Sequence, residues 1–369
     1  MSLALLNVGN FRNLTSVQIA PVQLGLNIIC GANGSGKTSL LEAIYYMGHG
    51  KSFRSSLASR LINHQADKFS LFSQMSTDKN RVVALGMERE QSGATRLRID
   101  ERDSASVAEI ASYLPIRLID SHSHQLLEGG PIFRRKYLDW GLFYHQPDFI
   151  LCWRQFERVL KQRNAILRDN RPRKELDAWT NELIKHGLEL NQHRLTYIAS
   201  LLPHLQRFCQ ELLGMNSLSI EYQTGWDNGK SYEEILHASI PEDYRIGYTQ
   251  AGPHRADFGL NSEGLILRHI LSRGQQKLLI CAMILAQGML LAEQEKSGLI
   301  YLIDDLPSEL DLHSRQRLVA LLTAQKSQIF ITAIEKEAIC DLICDKTMVS
   351  MKVFHVEHGR IAEALTDTH

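Results

Sequence analysis

The apolar positions near the start of the chain predict a buried strand, a turn and a helix in close succession. Residues 24–30 form a short, largely apolar run, which is typical of a strand buried on both faces. Residues 38–46 instead carry apolar side chains at helical spacing, and a glycine-rich segment separates the two. Further strands are predicted over 3–8, 81–88 and 95–100, the last two joined by a turn. This part of the chain therefore mixes strands with helices.

The pattern becomes helical after residue 119. Apolar side chains recur at helical spacing over residues 137–213, and Arg171-Pro172-Arg173 interrupts them. The residues predicted to share a helix face are Phe156, Val159, Leu160, Arg163 and Ile166 before the interruption, and Trp179, Leu183 and Leu188 after it. A strand is predicted again at 218–222. The sequence therefore predicts an all-helical insertion within a mixed chain.

The end of the chain returns to alternating strands and helices. A helix is predicted after Gly274, followed by strands at 299–303 and 328–332. Because such alternation is typical of α/β folds, we expect an α/β lobe interrupted by the helical insertion. The predicted domains are 1–118 and 243–369, which form the two parts of one lobe, and 119–242, which forms the second, mainly helical lobe.

Charge is balanced over the whole chain but not locally. The 369 residues include 41 lysines and arginines and 41 aspartates and glutamates, which excludes a globally basic nucleic-acid coat. Residues 131–175, however, hold 11 basic and five acidic side chains, with Trp140, Tyr144 and Trp153 nearby. Such a surface can follow the phosphates of a nucleic acid. A solvated helix face, paired with acidic groups of a partner subunit, explains the same charges, and charge alone does not decide between them.

The six cysteines do not form a disulfide or metal pattern. Only Cys340 and Cys344 lie close together, four positions apart, so reduced thiols are expected. His122 and His124 lack a nearby third ligand, and no zinc site is predicted there. The N-terminus has no signal-peptide pattern, and the longest apolar run, 278–286, is shorter than the about 20 residues that a membrane helix needs. We therefore expect a cytoplasmic protein without a membrane segment.

Residues 31–38 match the phosphate-binding pattern G-x-x-x-x-G-K-[ST] at every fixed position. We call them the phosphate loop. Backbone N–H groups of such a loop surround phosphates, Lys37 adds a positive charge and the Thr38 hydroxyl ligates Mg²⁺. The sequence thus predicts ATP and Mg²⁺ as cofactors. The nucleotide-binding residues predicted here are Gly31, Ala32, Asn33, Gly34, Ser35, Gly36, Lys37, Thr38 and Ser39.

A pair of carboxylates ends the apolar strand predicted at 299–303. Asp304 is expected to reach the Mg²⁺, and Asp305 to orient or deprotonate the attacking water. With Lys37, these two residues are the predicted catalytic group, and Thr38 and Asp304 are the predicted metal ligands. Two acidic residues that merely end a strand are the simpler alternative.

A serine and a glycine precede the helix predicted after Gly274. Ser272 is a suitable N-cap residue, and Gly274 allows a phosphate to approach the backbone closely. By itself such a cap is structural more often than functional. Because this cap lies between the phosphate loop and the strand predicted at 299–303 along the chain, however, it indicates a functional motif rather than a structural one.

These three elements resemble those of the ATP-binding-cassette ATPases. The residues similar to their signature sequence are Leu271, Ser272, Arg273, Gly274 and Gln275, and Ser308, Glu309, Leu310 and Asp311 resemble their D-loop. The helical insertion between the phosphate loop and the signature is similar to the Rad50 and SMC branch, although it is too short for a long coiled coil. The resemblance implies a P-loop ABC-type lobe like a Rad50 or SMC head. It also implies that Arg12 reaches the nucleotide.

Within that branch the chain resembles the RecF family of bacterial recombination mediators. The short motifs that carry this resemblance lie at 10–14, 51–54, 129–131, 134–135, 138–139, 161–164, 252–255, 271–275 and 302–305. The resemblance implies an ATP-dependent DNA-binding protein that acts at single-strand gaps and duplex junctions and helps to load RecA with RecO and RecR. It also implies slow ATP hydrolysis and a head-to-tail homodimer, in which Lys37 of one subunit faces Ser272 and Gly274 of the other.

The sequence departs from the cassette pattern at two places. Transporter cassettes carry a histidine after the last core strand, whereas Thr332 is followed here by Ala333 and Ile334. The carboxylate after Asp304 is Asp305 rather than glutamate. Both departures fit slow, switch-like turnover. The missing histidine and the large basic insertion argue against a transporter subunit, which is one alternative function. A scaffold that binds ATP without needing its turnover is another.

The sequence supports two interpretations for each of several residues. Gln125 is either the metal-reaching glutamine of the cassette Q-loop or part of a solvated loop. Arg134 and Arg135, like the basic stretch 154–174, either contact DNA or serve structure. His254 and Arg255, which follow a Gly-Pro pair, either form a structural turn or sense the nucleotide.

Overall fold

The computed structural model divides the chain into two compact units. It describes residues 1–55, 57–77, 81–293, 298–306, 310–343 and 349–364. The first unit, here the sheet unit, is Met1–Ser123 with Leu291–His369, and the second, here the helical unit, is His124–Leu290. The chain passes from the sheet unit to the helical unit after Ser123, near the predicted boundary at 119. It returns to the sheet unit well after the predicted boundary at 243, so the signature residues lie in the helical unit. The predicted division into 1–118, 119–242 and 243–369 stays a prediction.

The described residues contain strands and helices in the following order along the chain. The strands are β1 (Ser2–Phe11), β2 (Leu14–Ile19), β3 (Gly25–Cys30), β4 (Lys68–Ser76), β5 (Val82–Glu90), β6 (Thr95–Ile99), β7 (Arg102–Asp103), β8 (Ile116–Ile119), β9 (Ser219–Gln223), β10 (Asp257–Ser262), β11 (Leu265–Ile266), β12 (Ile300–Ile303), β13 (Gln328–Ala333), β14 (Met351–Glu357) and β15 (Arg360–Ala364). The helices are α1 (Lys37–His49), α2 (Val107–Ala111), α3 (Gln125–Glu128), α4 (Pro131–His145), α5 (Phe149–Arg168), α6 (Arg173–Leu213), α7 (Tyr232–Ala238), α8 (Ile240–Ile246), α9 (Leu267–Ile270), α10 (Arg273–Ala292), α11 (Leu312–Ala324) and α12 (Glu337–Cys340). Short 3-10 turns span Ala58–Leu61 and Pro253–Arg255.

A largely parallel sheet forms the centre of the sheet unit. Its strand order is β15-β14-β3-β13-β12-β8, and every neighbouring pair is parallel except β14 with β15. Strands β12 and β13 are buried along their whole length, as expected for a parallel sheet covered on both faces. The carboxyl ends of the parallel strands meet at one edge of this sheet, where ligands bind in α/β folds.

A second sheet in the same unit is antiparallel, with the order β2-β1-β4-β5-β6-β7. Its strands alternate between buried and less buried residues, because one face packs on the core. Helix α1 contributes to the same core as both sheets. Phe11, Tyr46 and Phe69 pack edge to face there, with ring centroids 5.1 to 6.1 Å apart. The core thus fixes α1, and the loop that precedes it, between the two sheets.

The helical unit is built around α4, α5 and α6. The predicted face of α5 is confirmed, because Phe156, Val159, Leu160, Arg163 and Ile166 are all buried. The interruption at 171–173 is confirmed as well, with Pro172 directly before the 41-residue helix α6. The unit also contains a sheet with the order β11-β10-β9. Strand β9 was predicted at 218–222, whereas β10 and β11 lie after the predicted insertion 119–242 and were not predicted.

Helix α10 is longer than the apolar run at 278–286 suggests. It has 20 residues and, by length and composition alone, is long and apolar enough to cross a membrane. However, 72% of its most apolar window is buried inside the protein. A helix that is apolar all round and buried is typical of the core of a large protein.

Candidate nucleotide site

The phosphate loop connects the central strand β3 with helix α1. Gly31 has a φ of 149°, and a Cβ atom there would lie 2.2 Å from the carbonyl oxygen of Val356. Gly34, with a φ of 77°, has no atom within 4 Å of where its Cβ would lie. Gly36 directly precedes α1 and provides no side-chain cap for its first N–H groups. The loop is therefore an open cradle at a helix N-terminus, which suits an anion.

The side chains of the loop point to a ligand of the same kind. The Lys37 ammonium donates to the carbonyl oxygens of Gly31 (2.8 Å) and Ala32 (2.9 Å), so the charge lies against the loop. The Ser35 hydroxyl is buried and has no hydrogen-bond partner among the described residues. Since buried hydroxyls are normally hydrogen-bonded, this orphaned group fits a phosphate ligand. The loop thus fits the predicted nucleotide.

Neighbouring segments hold the loop from outside. The Ser35 carbonyl oxygen accepts from the side-chain amide of Asn13 (3.2 Å) and from the backbone N–H of Gly359 (2.9 Å). The backbone N–H of Gly31 donates to the carbonyl oxygen of Ile334 at 3.1 Å. The loop is thereby tied to the β1–β2 turn, to the β14–β15 turn and to the segment after β13. These supports were not predicted from the sequence.

Asp304 lies at the carboxyl end of β12 and meets the phosphate loop through Thr38. Its Oδ1 atom accepts from the Thr38 hydroxyl and from the Thr332 hydroxyl, each at 3.0 Å. Burial raises the pKa of the Asp304 carboxyl, whereas the two hydroxyl hydrogen bonds act in the opposite direction. The predicted pairing of Thr38 with Asp304 is therefore present in the geometry. A hydroxyl and a carboxylate so close together are the oxygen ligands that Mg²⁺ prefers.

Thr332 links the two carboxylate residues. It lies on β13, between β3 and β12, and its hydroxyl both donates to Asp304 and accepts from the backbone N–H of Asp305 at 2.8 Å. Asp305 has a φ of 55°, which is uncommon for a residue other than glycine, and its side chain is exposed. This strained turn presents the carboxylate to solvent at the sheet edge. No role for Thr332 was predicted from the sequence.

Arg12 is held beside the phosphate loop's helix by an acidic residue of α1. Its guanidinium donates to both carboxylate oxygens of Glu42, at 2.9 and 2.7 Å, and to the carbonyl oxygen of Arg60. Glu42 is fully buried on α1, and it also accepts from the Ser52 hydroxyl and pairs with Arg54 at 3.7 Å. Such a bidentate pair fixes Arg12 firmly. The role of Arg12 at the nucleotide stays a prediction, and Glu42 is a residue that sequence reasoning missed.

Asp120 is a further carboxylate at the same sheet edge. It follows β8, the strand next to β12, and accepts from the Ser123 hydroxyl at 2.9 Å. Its negative charge contributes to the raised pKa of Asp304. The sequence signal was its position directly after a short apolar strand, which went unrecognised. Gln125 begins α3 in the helical unit, and its identity as the Q-loop glutamine stays a prediction.

The signature residues form the start of α10 in the helical unit. The Ser272 hydroxyl accepts from the backbone N–H of Gln275 (3.3 Å), and the Gln275 side chain accepts from the backbone N–H of Ser272 (2.9 Å). This is a reciprocal capping box, so the predicted N-cap is confirmed. Ser272, Arg273 and Gln275 are exposed, and Gly274 is half-buried. Their contact with nucleotide stays a prediction.

The predicted D-loop is only partly described. Ser308 and Glu309 lie outside the described residues, whereas Leu310 and Asp311 are within them. Asp311 is the N-cap of α11 and accepts from the backbone N–H of Ser314 at 2.9 Å.

Two arginines of the basic segment are structural. Arg134 is buried, and its guanidinium binds both oxygens of Asp257 at 2.6 and 2.9 Å. Arg163 is completely buried and donates to Thr180, Asp243 and Thr249. Neither guanidinium faces solvent, which corrects their place among the candidate DNA contacts.

Arg135 and His254, for which the sequence supported two interpretations, also make contacts inside the helical unit. Arg135 donates to the carbonyl oxygen of Ala256 at 2.8 Å. The His254 ring bonds the carbonyl oxygen of Thr249 at 3.1 Å, and burial lowers the pKa of His254 to about 4. These contacts favour the structural interpretation of the Gly-Pro turn, while Arg255 is exposed.

Other basic residues of the same segment do face solvent. The exposed set on α5, which we call the basic stripe, consists of Arg154, Arg158, Lys161 and Arg168. Their spacing of four, three and seven positions places them on one helix face. Within the described part of the chain none of the four forms an ion pair, whereas Arg171 pairs with Asp169 and Glu175. The stripe is thus a positive surface whose four side chains form no ion pairs with described residues.

Comparison with known proteins identifies the family of the chain. The family described as "RecF/RecN/SMC N terminal domain" matches residues 2–361. The DNA replication and repair protein RecF of Erwinia tasmaniensis is 41% identical over 98% of this chain and 99% of its own. The protein of the same name from Shewanella oneidensis is 42% identical, with the same coverage.

Solved structures show the same fold. A structure of the recombination mediator protein RecF with ATP has a TM-score of 0.86 and 24% identity, covering 98% of this chain and 97% of that one. An Smc head bound to the winged-helix domain of ScpA has a TM-score of 0.58 and 14% identity, covering 100% and 98%. The predicted α/β fold of the ABC type, similar to Rad50 and SMC heads, is confirmed. By its sequence and its fold, the chain belongs to the RecF family of SMC-type, ABC-class ATPases.

Proposed function

We propose that the protein is an ATP-dependent DNA-binding recombination mediator that acts in DNA repair and replication restart. It binds ATP with Mg²⁺, forms a head-to-tail homodimer and holds gapped or duplex DNA until slow hydrolysis releases it. The observation that carries this proposal is the hydrogen-bonded group of Thr38, Asp304 and Thr332 beside an open phosphate loop. The names of the relatives support the repair function.

The residues of the phosphate loop and the sheet edge have separate roles in this proposal. The loop N–H groups and Lys37 bind the phosphates, and Thr38 and Asp304 hold the Mg²⁺, which neutralises charge on the phosphates when bound. Asp305 orients the attacking water from its exposed position at the strand end. Because Asp305 is one methylene shorter than glutamate, it reaches less far, which supports slow turnover.

Dimerisation would bring the signature of one subunit to the nucleotide of the other. Ser272, Arg273 and Gln275 are exposed at the start of α10, where the capping box leaves the helix N-terminus ordered. Exposed N–H groups at a helix N-terminus favour phosphate oxygens. ATP would then be the shared ligand that closes the dimer, and its hydrolysis would open it.

The proposed partners are DNA at single-strand gaps and duplex junctions, RecR and RecO directly, and RecA indirectly. A solved relative is described as a recombination mediator in the RecFOR pathway, which supports this set. The proposed location is the cytoplasm. Membership of the RecF family also argues against the transporter alternative.

The experiment that tests the function measures fluorescence anisotropy of a labelled gapped duplex, titrated with protein at fixed salt in ATP and then in ADP. Tighter binding in ATP is expected, because only ATP closes the dimer. Equal affinity in the two nucleotides would overturn the ATP-gated clamp. A scaffold that needs no turnover predicts that Asp305→Asn keeps its function, whereas our proposal predicts that DNA release stops.

The basic stripe is expected to supply the DNA contact. Replacing Arg154, Arg158 and Lys161 together by alanine removes three phosphate-binding charges without touching a buried group. Affinity for DNA should fall, and the slope of log affinity against log salt should become shallower by about 2.7, since each phosphate contact contributes about 0.9. The assay is the same titration at several salt concentrations.

A control with the same charge change is available. Arg81, Arg98 and Arg207 are exposed, but each is already paired with a carboxylate, and replacing all three by alanine removes the same charge. This control should keep most of its affinity. If both triple variants lose the same affinity and slope, binding depends on overall charge and the stripe is not the contact surface.

Thr332 is expected to position the catalytic carboxylates. Thr332→Val keeps the shape but removes the hydroxyl that holds Asp304 and the N–H of Asp305, at a cost of about 1–2 kcal/mol in positioning. The rate of ATP hydrolysis should fall about tenfold or more, with a higher Mg²⁺ requirement. Thr332→Ser should restore most of the activity. Equal rates in the valine and wild-type proteins would exclude this role.

A further inference from the structure

A second group of potential metal ligands lies in the helical unit, remote in sequence from the phosphate loop. Cys152 stands in the first turn of α5, and Glu189 and His193 are four positions apart on α6. One ligand atom from each, a sulfur, a carboxylate oxygen and a ring nitrogen, lie within 4.8 Å of one another. Residues four apart on a helix face the same side, so both α6 ligands face Cys152.

We propose that Cys152, Glu189 and His193 bind a zinc ion that links α5 to α6. A thiolate, an imidazole and a carboxylate are the ligand types that Zn²⁺ takes, and three protein ligands leave a fourth position for water. Zn–S and Zn–N bonds of about 2.3 and 2.0 Å require ligand atoms somewhat closer together than 4.8 Å. The exposed Glu189 side chain can supply that adjustment by rotation.

The histidine of the cluster has a ring nitrogen available to bind a metal. The Nε2 atom of His193 is buried and has no hydrogen-bond partner among the described residues. A buried ring nitrogen normally has a partner, so this atom is free to bind a cation. The His193 ring is also held by an edge-to-face contact with Phe149, at 6.2 Å between centroids. The imidazole is therefore oriented before any metal binds.

A buried histidine, His186, lies beside the cluster. Its Nδ1 atom lies 3.5 Å from the Glu189 carboxylate without forming a hydrogen bond, and its carbonyl oxygen accepts from the Cys152 thiol at 3.9 Å. Burial and the Glu189 carboxylate raise the pKa of Cys152 to about 12. A divalent cation would offset both effects, because it favours the thiolate.

The charges of the cluster match a divalent ion. A thiolate and a carboxylate together carry two negative charges, and neutral imidazole carries none. The mixed sulfur, nitrogen and oxygen set favours Zn²⁺ over Mg²⁺, which prefers oxygen ligands alone. The ion proposed here is therefore distinct from the Mg²⁺ expected at Thr38 and Asp304.

The test uses Co²⁺ as a spectroscopic probe for zinc, added to the full chain without nucleotide. Wild-type protein is expected to bind one Co²⁺ with a thiolate-to-metal charge-transfer band, and Zn²⁺ should displace it. Cys152→Ser should lose the band, and Glu189→Gln should weaken binding by about tenfold or more. Cys209→Ser, which replaces another buried cysteine, and His237→Gln, which replaces an exposed histidine, are the matched controls and should keep the band.

A second measurement, the melting temperature, distinguishes loss of metal binding from loss of folding. Zn²⁺ should raise the melting temperature of the wild-type protein but not that of Glu189→Gln, whose exposed side chain is not needed for the fold. Absence of a charge-transfer band in reduced wild-type protein would overturn the proposal. So would a band that persists in Cys152→Ser, because another cysteine would then be the ligand.

Discussion

Lys37→Ala is expected to lose ATP binding by on the order of 100-fold or more, about 2.7 kcal/mol, and with it the ATP-dependent dimer. The ammonium group lies against the loop carbonyl oxygens of Gly31 and Ala32, where phosphates would meet it. Without it the loop keeps its N–H groups but lacks the charge that offsets the phosphates. Equilibrium binding of a fluorescent ATP analogue and sedimentation velocity would measure the two losses.

A matched lysine variant separates this effect from a change in overall charge. Lys68 is exposed on β4 and pairs with Glu88 at 3.1 Å, well outside the phosphate loop in the sequence. Lys68→Ala should bind ATP like the wild type, and both variants should melt as folded proteins. A Lys37→Ala protein that still dimerises on ATP would refute the assignment of the site.

Ser272→Arg is expected to leave ATP binding intact while abolishing the dimer. Ser272 is exposed at the start of α10, in the helical unit, whereas the phosphate loop belongs to the sheet unit. If the signature acts on the partner's nucleotide, a bulky charged side chain there blocks closure without changing the loop of its own subunit. Sedimentation velocity with a non-hydrolysable ATP analogue, beside nucleotide titrations, would show the two effects separately.

The control for this variant is a second serine with the same local role. Ser231 caps α7 in a capping box with Glu234, just as Ser272 caps α10 with Gln275. Each replacement removes a cap, at about 0.5–2 kcal/mol of stability. Ser231→Arg should therefore weaken the fold similarly and still dimerise. A dimer of normal strength in Ser272→Arg would show that the head-to-tail arrangement is wrong.

The phosphate loop could be predicted because its signals are local. Strand β3, the glycines and helix α1 follow each other directly, so periodicity and motif agreed on the same residues. The strands at 299–303 and 328–332 were predicted within one residue of β12 and β13 for the same reason. Their short apolar runs are continuous, as buried parallel strands require.

The contacts that complete the site depend on the order of the strands in the sheet. Thr38 and Asp304 are 266 positions apart, and Thr332 meets Asp304 only because β13 lies between β3 and β12. Glu42 appears in the sequence as one acidic residue on a helix, and nothing local shows that it binds Arg12. No pattern along the chain carries this information.

In the helical unit, a strand with many polar residues was not predicted from the sequence pattern. The strand at 218–222 was predicted, but its partner β10, Asp257–Ser262, has a mixed sequence and was missed. The basic stretch was ambiguous for a similar reason. Arg163 shares its helix with the exposed Arg158, and only tertiary packing shows which one is neutralised.

The strand order also constrains how the protein is made. Strand β3, which leads into the phosphate loop, pairs with β13 and β14, whose residues follow it by about 300 positions. During synthesis the helical unit follows β3 and emerges before β13 and β14, so it can fold while β3 still lacks both neighbours. Until residues 328–333 and 351–355 have emerged from the ribosome, the strand has open hydrogen-bonding edges and exposed apolar faces. The nascent chain therefore passes through a long interval in which a strand that is largely buried in the folded protein is open to aggregation.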